Sequence, residues 1–404
     1  MEQKKTRLTY ISLFSGCGGF DIGFKENKYV CLGAYDINPH VVNVHALNLK
    51  HPIFIHDLNN LNLPGNLPKQ IDVVVSGSPC QGFSTIGKRK LDDPRNHLLL
   101  VGGEIAIKYN AKVFISENVL GSNSGEHKKY WNKLVELLQK NGYNTKMVKY
   151  DACEFGIPQL RRRIILYAWK SEKIKDFDFI IPFKRKVTLD HIFNNTNKAS
   201  NHNLQYIDQN SDDYKIAIKI KPGQKLCDVR GGIRSIHSWH IPEVFGKINK
   251  HEEEFLMLIM RLRRKIRRRE NGDADPVDIK ILKKYYNGDT TNLIKSLLKK
   301  GYIKEVNKKY VDLNNTFNGK YKRLDLNSFS PTVDTRFGSF KNFIHPTEHR
   351  SISVREAARI QGFTDDFIFN GPIQKQYEMI GNAVPPPLSF FIAKSIKEIL
   401  IPQL

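Results

Sequence analysis

Cysteine is scarce and scattered in this 404-residue chain: Cys17, Cys31, Cys80, Cys153 and Cys227 make an odd set without metal-ligand spacing. That excludes a disulfide framework and a zinc motif, and it fits a reducing cytoplasm. No stretch reaches the roughly 18 uninterrupted apolar residues a membrane helix needs. The basic start, Met1–Tyr10, runs directly into a strand pattern, with no apolar signal core and no cleavage site, which argues against export. Acidic residues are also in short supply: 41 Asp and Glu face 64 Lys and Arg, a net charge of +23. Residues 184–350 hold 34 basic and 19 acidic residues, so most of the excess sits there. A field of that sign favours a polyanion, with nucleic acid foremost; a solvated lysine-rich surface is the plain alternative.

What is present is a regular alternation. Apolar strand-like runs at Tyr10–Phe14, Val30–Tyr35, Ile53–Ile55, Ile71–Ser76, Val113–Ser116, Tyr143–Tyr150 and Ile164–Ala168 are interleaved with helical patterns at Pro39–Asn48, Leu98–Tyr109 and Lys128–Asn141. This predicts an α/β domain with a mostly parallel sheet and ligands at the carboxyl ends of its strands. Near Pro182–Lys186 the periodicity fades. The expected division is a catalytic domain over 1–185, completed by 372–404, and a smaller basic domain over 186–371. Within the latter, Phe255, Ile259, Leu262 and Ile266 recur at helical spacing beside an arginine-rich face. Further helices at Val277–Tyr286 and after Asp289, then strands Tyr302–Val306 and Tyr310–Leu313, suggest a winged helix-turn-helix; a generic helical insertion is the alternative.

Four motifs fall at predicted strand ends. Phe14-Ser15-Gly16-Cys17-Gly18-Gly19-Phe20 follows the first strand, and its glycines admit close approach of a ligand to the backbone. Asp36 closes the second strand, where a carboxylate can bind ribose hydroxyls, and Asp57 closes the third, within reach of an exocyclic amine. Gly77-Ser78-Pro79-Cys80-Gln81-Gly82-Phe83-Ser84 places Cys80 in a rim loop, as a nucleophile if positive charge lowers its thiol pKa, or else as a small buried hydrophobe. Glu117-Asn118-Val119 offers a carboxylate for acid catalysis or for a salt bridge. In Pro158-Gln159-Leu160-Arg161-Arg162-Arg163, Arg161 and Arg163 share one face of an extended chain, either to stabilise an anionic intermediate or as part of a solvated basic run.

Together these motifs resemble the cytosine-carbon-5 DNA methyltransferases. Phe14–Phe20 is similar to that family's cofactor loop, Ser78-Pro79-Cys80-Gln81 to its nucleophile motif, Glu117-Asn118-Val119 to its acid motif, and Gln159–Arg163 to its Gln-x-Arg-x-Arg motif. Ser353–Phe363 and Gly381-Asn382-Ala383-Val384-Pro385 resemble its last two motifs. Order and spacing agree from Leu8 onward, and only about 185–350 is idiosyncratic, where the family keeps its target recognition region.

The resemblance implies a Rossmann-like core that binds S-adenosylmethionine. Phe14, Gly16, Gly18, Gly19 and Phe20 would cradle it, with Asp36 on the ribose, where the family more often has Glu, and Asp57 on the adenine amine. Ile37 and Leu58 would pack on the adenine ring, and Pro79, Leu98 and Asn382 would complete the walls. Cys80 is implied as nucleophile toward carbon 6 of a flipped-out cytosine, with Glu117, Arg161 and Arg163 supporting the charge that develops. Ser84, Lys88 and Arg89 in a closing loop, and Arg263, Arg264, Arg267 and Arg268 of the basic helix, are the expected DNA contacts. A bacterial cytoplasmic, nucleoid-associated enzyme is expected, monomeric on double-stranded DNA and paired with a separate restriction endonuclease. A tRNA cytosine-5 methyltransferase, or a DNA-binding regulator that has lost catalysis, are the competing readings.

Overall fold

The computed structural model describes residues 7–79, 94–170, 174, 187–193, 199–269 and 274–401. Two compact units divide the chain: Met1–Asn203 with Phe329–Arg336 and Ser353–Leu404, and Leu204–Ser328 with Phe337–Ile352.

The first unit opens with β1 (Thr9–Leu13), α1 (Gly19–Glu26), β2 (Val30–Asp36), α2 (Pro39–Leu49), β3 (Ile53–Ile55), β4 (Val73–Ser76), α3 (Leu98–Lys108), β5 (Val113–Val119), α4 (Lys128–Lys140), β6 (Tyr143–Asp151), β7 (Gln159–Leu160) and β8 (Arg162–Lys170). Seven of these strands form one sheet in the order β3-β2-β1-β4-β5-β8-β6. β1 to β5 run parallel, and β8 is antiparallel to both of its neighbours. Strands such as Val73-Val74-Val75 are fully buried because helices cover both faces, so they read as unbroken apolar runs rather than as an alternation. On one face Phe20 and Phe24 of α1 pack with Ile392 and Ile396 near the C-terminus. On the other, Leu99 and Ile105 of α3 pack with Trp131 and Leu134 of α4. β1 is flanked by β2 on one side and β4 on the other, which makes it the switch point where open α/β sheets leave a crevice for ligands.

One strand end differs from the sequence reading in a way that shapes the site. The apolar run stops at Ser116, yet β5 continues to Val119 because β8 goes on pairing with it, Glu117 opposite Ile165 and Val119 opposite Arg163. Glu117 therefore lies on a strand, and Arg163 is its diagonal cross-strand neighbour on the same face.

The second unit contains α5 (Asp212–Lys219), β9 (Lys225–Cys227), β10 (Ser235–Ile236), α6 (Pro242–Phe245), α7 (Lys250–Lys265), β11 (Val277–Asp278), α8 (Ile279–Tyr285), α9 (Thr290–Lys299), β12 (Ile303–Val306), β13 (Tyr310–Leu313) and β14 (Asn318–Lys320). Asn249 and Glu252 form a capping box that starts α7, and the side chains of Asp278 and Asp289 cap α8 and α9. The three helices and the hairpin occur in the expected order, with β11 added to give a sheet β11-β13-β12. Phe255, Ile259, Leu282, Leu297 and Val311 share its core.

The chain then returns to the first unit with α10 (Val354–Gln361), α11 (Ile373–Asn382) and α12 (Pro386–Leu400). The expected borders at 185/186 and 371/372 thus fall elsewhere: residues 186–203, 329–336 and 353–371 lie in the first unit. The cause is long-range pairing. Ser330–Pro331 runs parallel to β7, and the buried Gln159 side chain donates to Ile360 O at 3.2 Å and to Gln361 Oε1 at 2.7 Å while accepting from Val333 N at 2.9 Å.

Candidate active site

A cavity of about 520 Å³ opens at the carboxyl ends of β1 to β5. Its lining brings together Phe14, Gly16, Gly19, Phe20, Asp36, Ile37, Asp57, Leu58, Pro79, Leu98, Glu117, Arg161, Arg163 and Asn382, all singled out from the sequence. Cys80, Ser84, Lys88 and Arg89 lie outside the described residues, although Pro79, which precedes Cys80, is on the cavity wall.

The turn after β1 is built for close approach. Gly18 sits at φ 97°, and a Cβ there would meet Leu49 Cδ1 at 2.4 Å; at Gly19 it would meet the Val384 carbonyl at 2.3 Å. Gly18 departs from its expected role, since it does not line the cavity; it serves the turn and its packing on α2. The Asp36 carboxylate accepts from the Gly16 and Asn38 backbone N–H groups, both at 2.9 Å. Burial raises its pKa, and those two amide donors oppose the shift. Ile37 beside it is 65% exposed, an apolar surface open toward the cavity, and Leu58 is buried opposite polar Asp57 and Asn59. A carboxylate next to a backbone cradle, with apolar walls flanking it, is the donor set a nucleoside ligand requires.

On the β5–β8 side, Arg163 Nε pairs with Glu117 Oε1 at 2.8 Å, and both side chains are about nine-tenths buried. Asn118 Nδ2 points the other way and donates to Ser78 Oγ at 3.1 Å and Ser78 O at 3.3 Å, so β5 anchors the loop that leads to Cys80. Arg161 shares the cavity with Arg163, as alternate positions predict, but its guanidinium serves the backbone. It donates to Gly381 O twice at 3.1 Å, to Ala383 O at 2.9 Å and to Val333 O at 3.3 Å. It therefore fixes the segment that carries Asn382.

Sequence reasoning missed a buried chain behind the glycine turn. His45 Nδ1 lies 3.1 Å from Gly16 O, so that nitrogen must donate. Its Nε2 is then the acceptor for His51 Nε2, 2.6 Å away. His51 Nε2 is 3.8 Å from Asp21 Oδ1, and Asp21 accepts from Tyr10 Oη and Ser12 Oγ. Desolvation pushes both histidines down to about 4, so they are neutral near pH 7. Asp21 follows the Gly-Gly of the turn, and His45 lies two turns into α2; only the fold joins them. A second correction concerns Arg263. It is 6% exposed and its Nε is ion-paired to Asp312 of β13, so it fastens α7 internally and is not offered to a phosphate. Arg264, Arg267 and Arg268 are exposed.

Sheet order, switch-point cavity and strand-end carboxylates define a Rossmann-like methyltransferase core. The chain belongs to the C-5 cytosine-specific DNA methylase family, whose model matches residues 8–398. It is 27% identical over 410 residues to Type II methyltransferase M.BanI of Aneurinibacillus aneurinilyticus, covering 94% of this chain and 93% of the relative. To M.DdeI of Desulfomicrobium norvegicum it is 27% identical over 413 residues, covering 96% and 88%. Among solved structures, an E. coli prophage protein described as a DNA modification methyltransferase shares the fold, with a TM-score of 0.58, 23% identity and coverage of 97% and 99% of the two chains.

Proposed function

We propose that this chain is the modification enzyme of a restriction–modification system, methylating carbon 5 of one flipped-out cytosine within a specific double-stranded DNA sequence. The observation that carries the reading is the Glu117–Arg163 pair on the wall of the cavity that also holds the Asp36–Gly16 turn. S-adenosylmethionine, when bound, supplies a methyl group on a sulfonium centre. In this reading Phe14, Gly16, Gly19 and Phe20 cradle it, Asp36 takes the ribose, Asp57 the adenine amine, and Ile37 and Leu58 the ring faces. Pro79, Leu98 and Asn382 close the walls.

Carbon 5 of cytosine is a weak nucleophile until carbon 6 is attacked. The Cys80 thiolate adds to carbon 6, and the displaced electron pair moves into the ring toward N3. Glu117 delivers a proton to N3 as that charge develops and accepts from the exocyclic amine, Arg163 holds the resulting carboxylate and faces the ring carbonyl, and N3 returns the proton when carbon 5 attacks. Carbon 5 is then competent to accept the methyl group. Loss of its proton to water re-forms the double bond and expels the thiolate. A stacked base cannot enter such a site, so the target leaves the helix. Ser84, Lys88 and Arg89, with Arg264, Arg267 and Arg268, supply phosphate contacts for a monomer on duplex DNA in the bacterial cytoplasm, and a separate endonuclease reads the same sequence. Bisulfite sequencing of DNA from cells expressing the chain tests this: one methylated motif, lost in Cys80→Ser, is expected. Methylation of tRNA and not of duplex DNA by the purified chain would refute it.

A further inference from the structure

Behind the glycine turn, four donor side chains converge from separate places in the fold: Asp21 of α1, Cys31 of β2, His45 of α2 and His51 of the loop before β3. A carboxylate oxygen of Asp21, the Cys31 Sγ and a ring nitrogen of His51 all lie within 4.8 Å of one another. His45 Nε2 faces His51 Nε2 across 2.6 Å, and its ring is fixed in that direction because Nδ1 donates to Gly16 O. Around them, Tyr10 Oη donates to Asp21 at 3.1 Å and is also hydrogen-bonded to Cys31, and Ser12 Oγ donates to the other Asp21 oxygen at 3.0 Å. Asp21 and His45 are fully buried, Cys31 is buried, and the His51 side chain is 12% exposed. Among the described residues no lysine or arginine pairs with Asp21; its one ion-pairing neighbour is His51, at 3.8 Å. A carboxylate taken this far out of water calls for a cation or a coordinated metal.

Zinc takes carboxylate, thiolate and imidazole donors at about 2.0–2.3 Å in four-coordinate sites, so its ligands stand roughly 3.3–3.8 Å apart. Asp21 and His51 are already at that spacing, and closing the rest of the Asp21–Cys31–His51 triad takes no more than about an ångström. His45 supplies a fourth donor, and its Nδ1 bond to a backbone carbonyl is the outer partner that orients a metal-binding histidine. One carboxylate and one thiolate balance the two charges of the ion, so the loaded site is neutral, as burial demands. We infer that Asp21, Cys31, His45 and His51 form a structural site for a zinc-class divalent cation behind the cofactor turn. On binding, the Cys31 thiol proton and any proton on Asp21 leave to solvent, and the proton shared by the two Nε2 atoms gives way to the metal as His51 takes its hydrogen at Nδ1. The ion ties α1, β2 and α2 together, and through His45 it holds the Gly16 carbonyl. The site is independent of the methylation reading. Its residues match no zinc motif, because each comes from a different element and only the fold joins them.

The test uses full-length protein stripped with a chelator under reducing conditions, then titrated with cobalt(II) and with zinc. One cobalt per chain should give tetrahedral bands in the visible and a thiolate charge-transfer band in the near ultraviolet, and zinc should displace it. The melting temperature should rise by about 5–10 °C once free zinc is ~100-fold above its Kd. Cys31→Ser should abolish the charge-transfer band and weaken zinc binding more than about 100-fold, beyond the ~10- to 100-fold effect of losing an outer partner. His51→Gln, at the most exposed of the four positions, should weaken zinc binding to a similar degree while its stripped form melts close to stripped wild type. Cys80→Ser and Cys153→Ser should leave the cobalt spectrum and the zinc affinity unchanged. Absence of stoichiometric binding, a charge-transfer band that survives Cys31→Ser, or one that disappears in Cys80→Ser or Cys153→Ser would overturn the site. Should Cys31→Ser fail to fold, an unchanged zinc affinity in His51→Gln overturns it equally.

Discussion

Arg161 and Arg163 stand two residues apart on one cavity, and the structure predicts that their loss has opposite signatures. Arg161 is 2% exposed and donates four hydrogen bonds to three carbonyls. In Arg161→Ala the Ala383 oxygen keeps the Gln361 Nε2 donor at 2.7 Å, whereas among the described residues no other side chain bonds the Gly381 and Val333 carbonyls. Charge-assisted bonds of this kind contribute about 1.5–3 kcal/mol each and are not additive, so the variant should lose about 3–4 kcal/mol. At the ~2–4 °C per kcal/mol typical of large units, melting should fall by roughly 10 °C. Because the released segment carries Asn382 and Val384 of the cavity wall, the Kd for S-adenosylmethionine should rise about 10- to 100-fold, or ~1.4–2.7 kcal/mol. Arg161→Lys should fall between, since one ammonium cannot span three carbonyls. Arg163→Ala leaves that segment intact and strips Glu117 of its cation. Its kcat should drop on the order of 10²–10³-fold while the cofactor Kd stays within about threefold. Calorimetric titration, thermal melting and single-turnover methylation read the three quantities. An Arg161→Ala enzyme with unchanged melting and cofactor affinity would refute the assignment, and so would an Arg163→Ala enzyme with undiminished kcat.

Other consequences are as direct. A duplex whose target cytosine carries fluorine at carbon 5 should arrest as a covalent adduct on Cys80 after methyl transfer, and mass spectrometry placing the adduct on Cys17 or Cys153 would sink the nucleophile assignment. Gly19→Ala forces a Cβ to 2.3 Å from the Val384 carbonyl and should cost about 1–3 kcal/mol of stability and weaken cofactor binding; a variant that melts and binds like wild type would show that the Ala383–Val384 connection between α11 and α12 yields there freely. Replacing Arg264, Arg267 and Arg268 by alanine should reduce the salt dependence of DNA binding equally for cognate and random duplexes, whereas loss of discrimination at constant slope would make them base readers. His45 and His51, held near 4 in the fold and titrating near ~6.5 when unfolded, leave the unfolded chain binding more protons in that window. Their contribution, up to about 3 kcal/mol each, is complete above ~pH 6.5 and is lost as pH falls toward 4; a His45→Asn/His51→Asn variant should show a shallower fall in melting temperature over that range.

How much of this was legible in the sequence follows from the range over which each role is defined. Parallel strands buried on both faces announce themselves as apolar runs, and a residue at a strand's end is placed on the cavity by position alone. That is why Phe14, Asp36, Asp57, Pro79 and Glu117 are legible in the sequence, and why they line one cavity. Roles fixed by a distant partner carry no local sign. Arg161 reads as half of a basic pair because the carbonyls that occupy it belong to Val333, Gly381 and Ala383, 172 to 222 residues away. Arg263 looks solvent-facing on a helical projection until β13 sets Asp312 against it. The His45–His51–Asp21 chain is drawn from α2, the loop after it and α1, none of which demands a histidine or a carboxylate by itself.

The same reasoning limits what a charge count can say. The excess of 15 cations over residues 184–350 pointed correctly to a polyanion, yet it counts equally the arginines spent inside the fold and those left outside. Arg263 on Asp312, Arg323 on the Ala217, Ile220 and His345 carbonyls, and Arg350 on Glu348 are structural cations that never meet solvent freely. Removing them from the count leaves the positive charge of the arginine-rich helix exposed at its C-terminal end, at Arg264, Arg267 and Arg268, rather than along its middle.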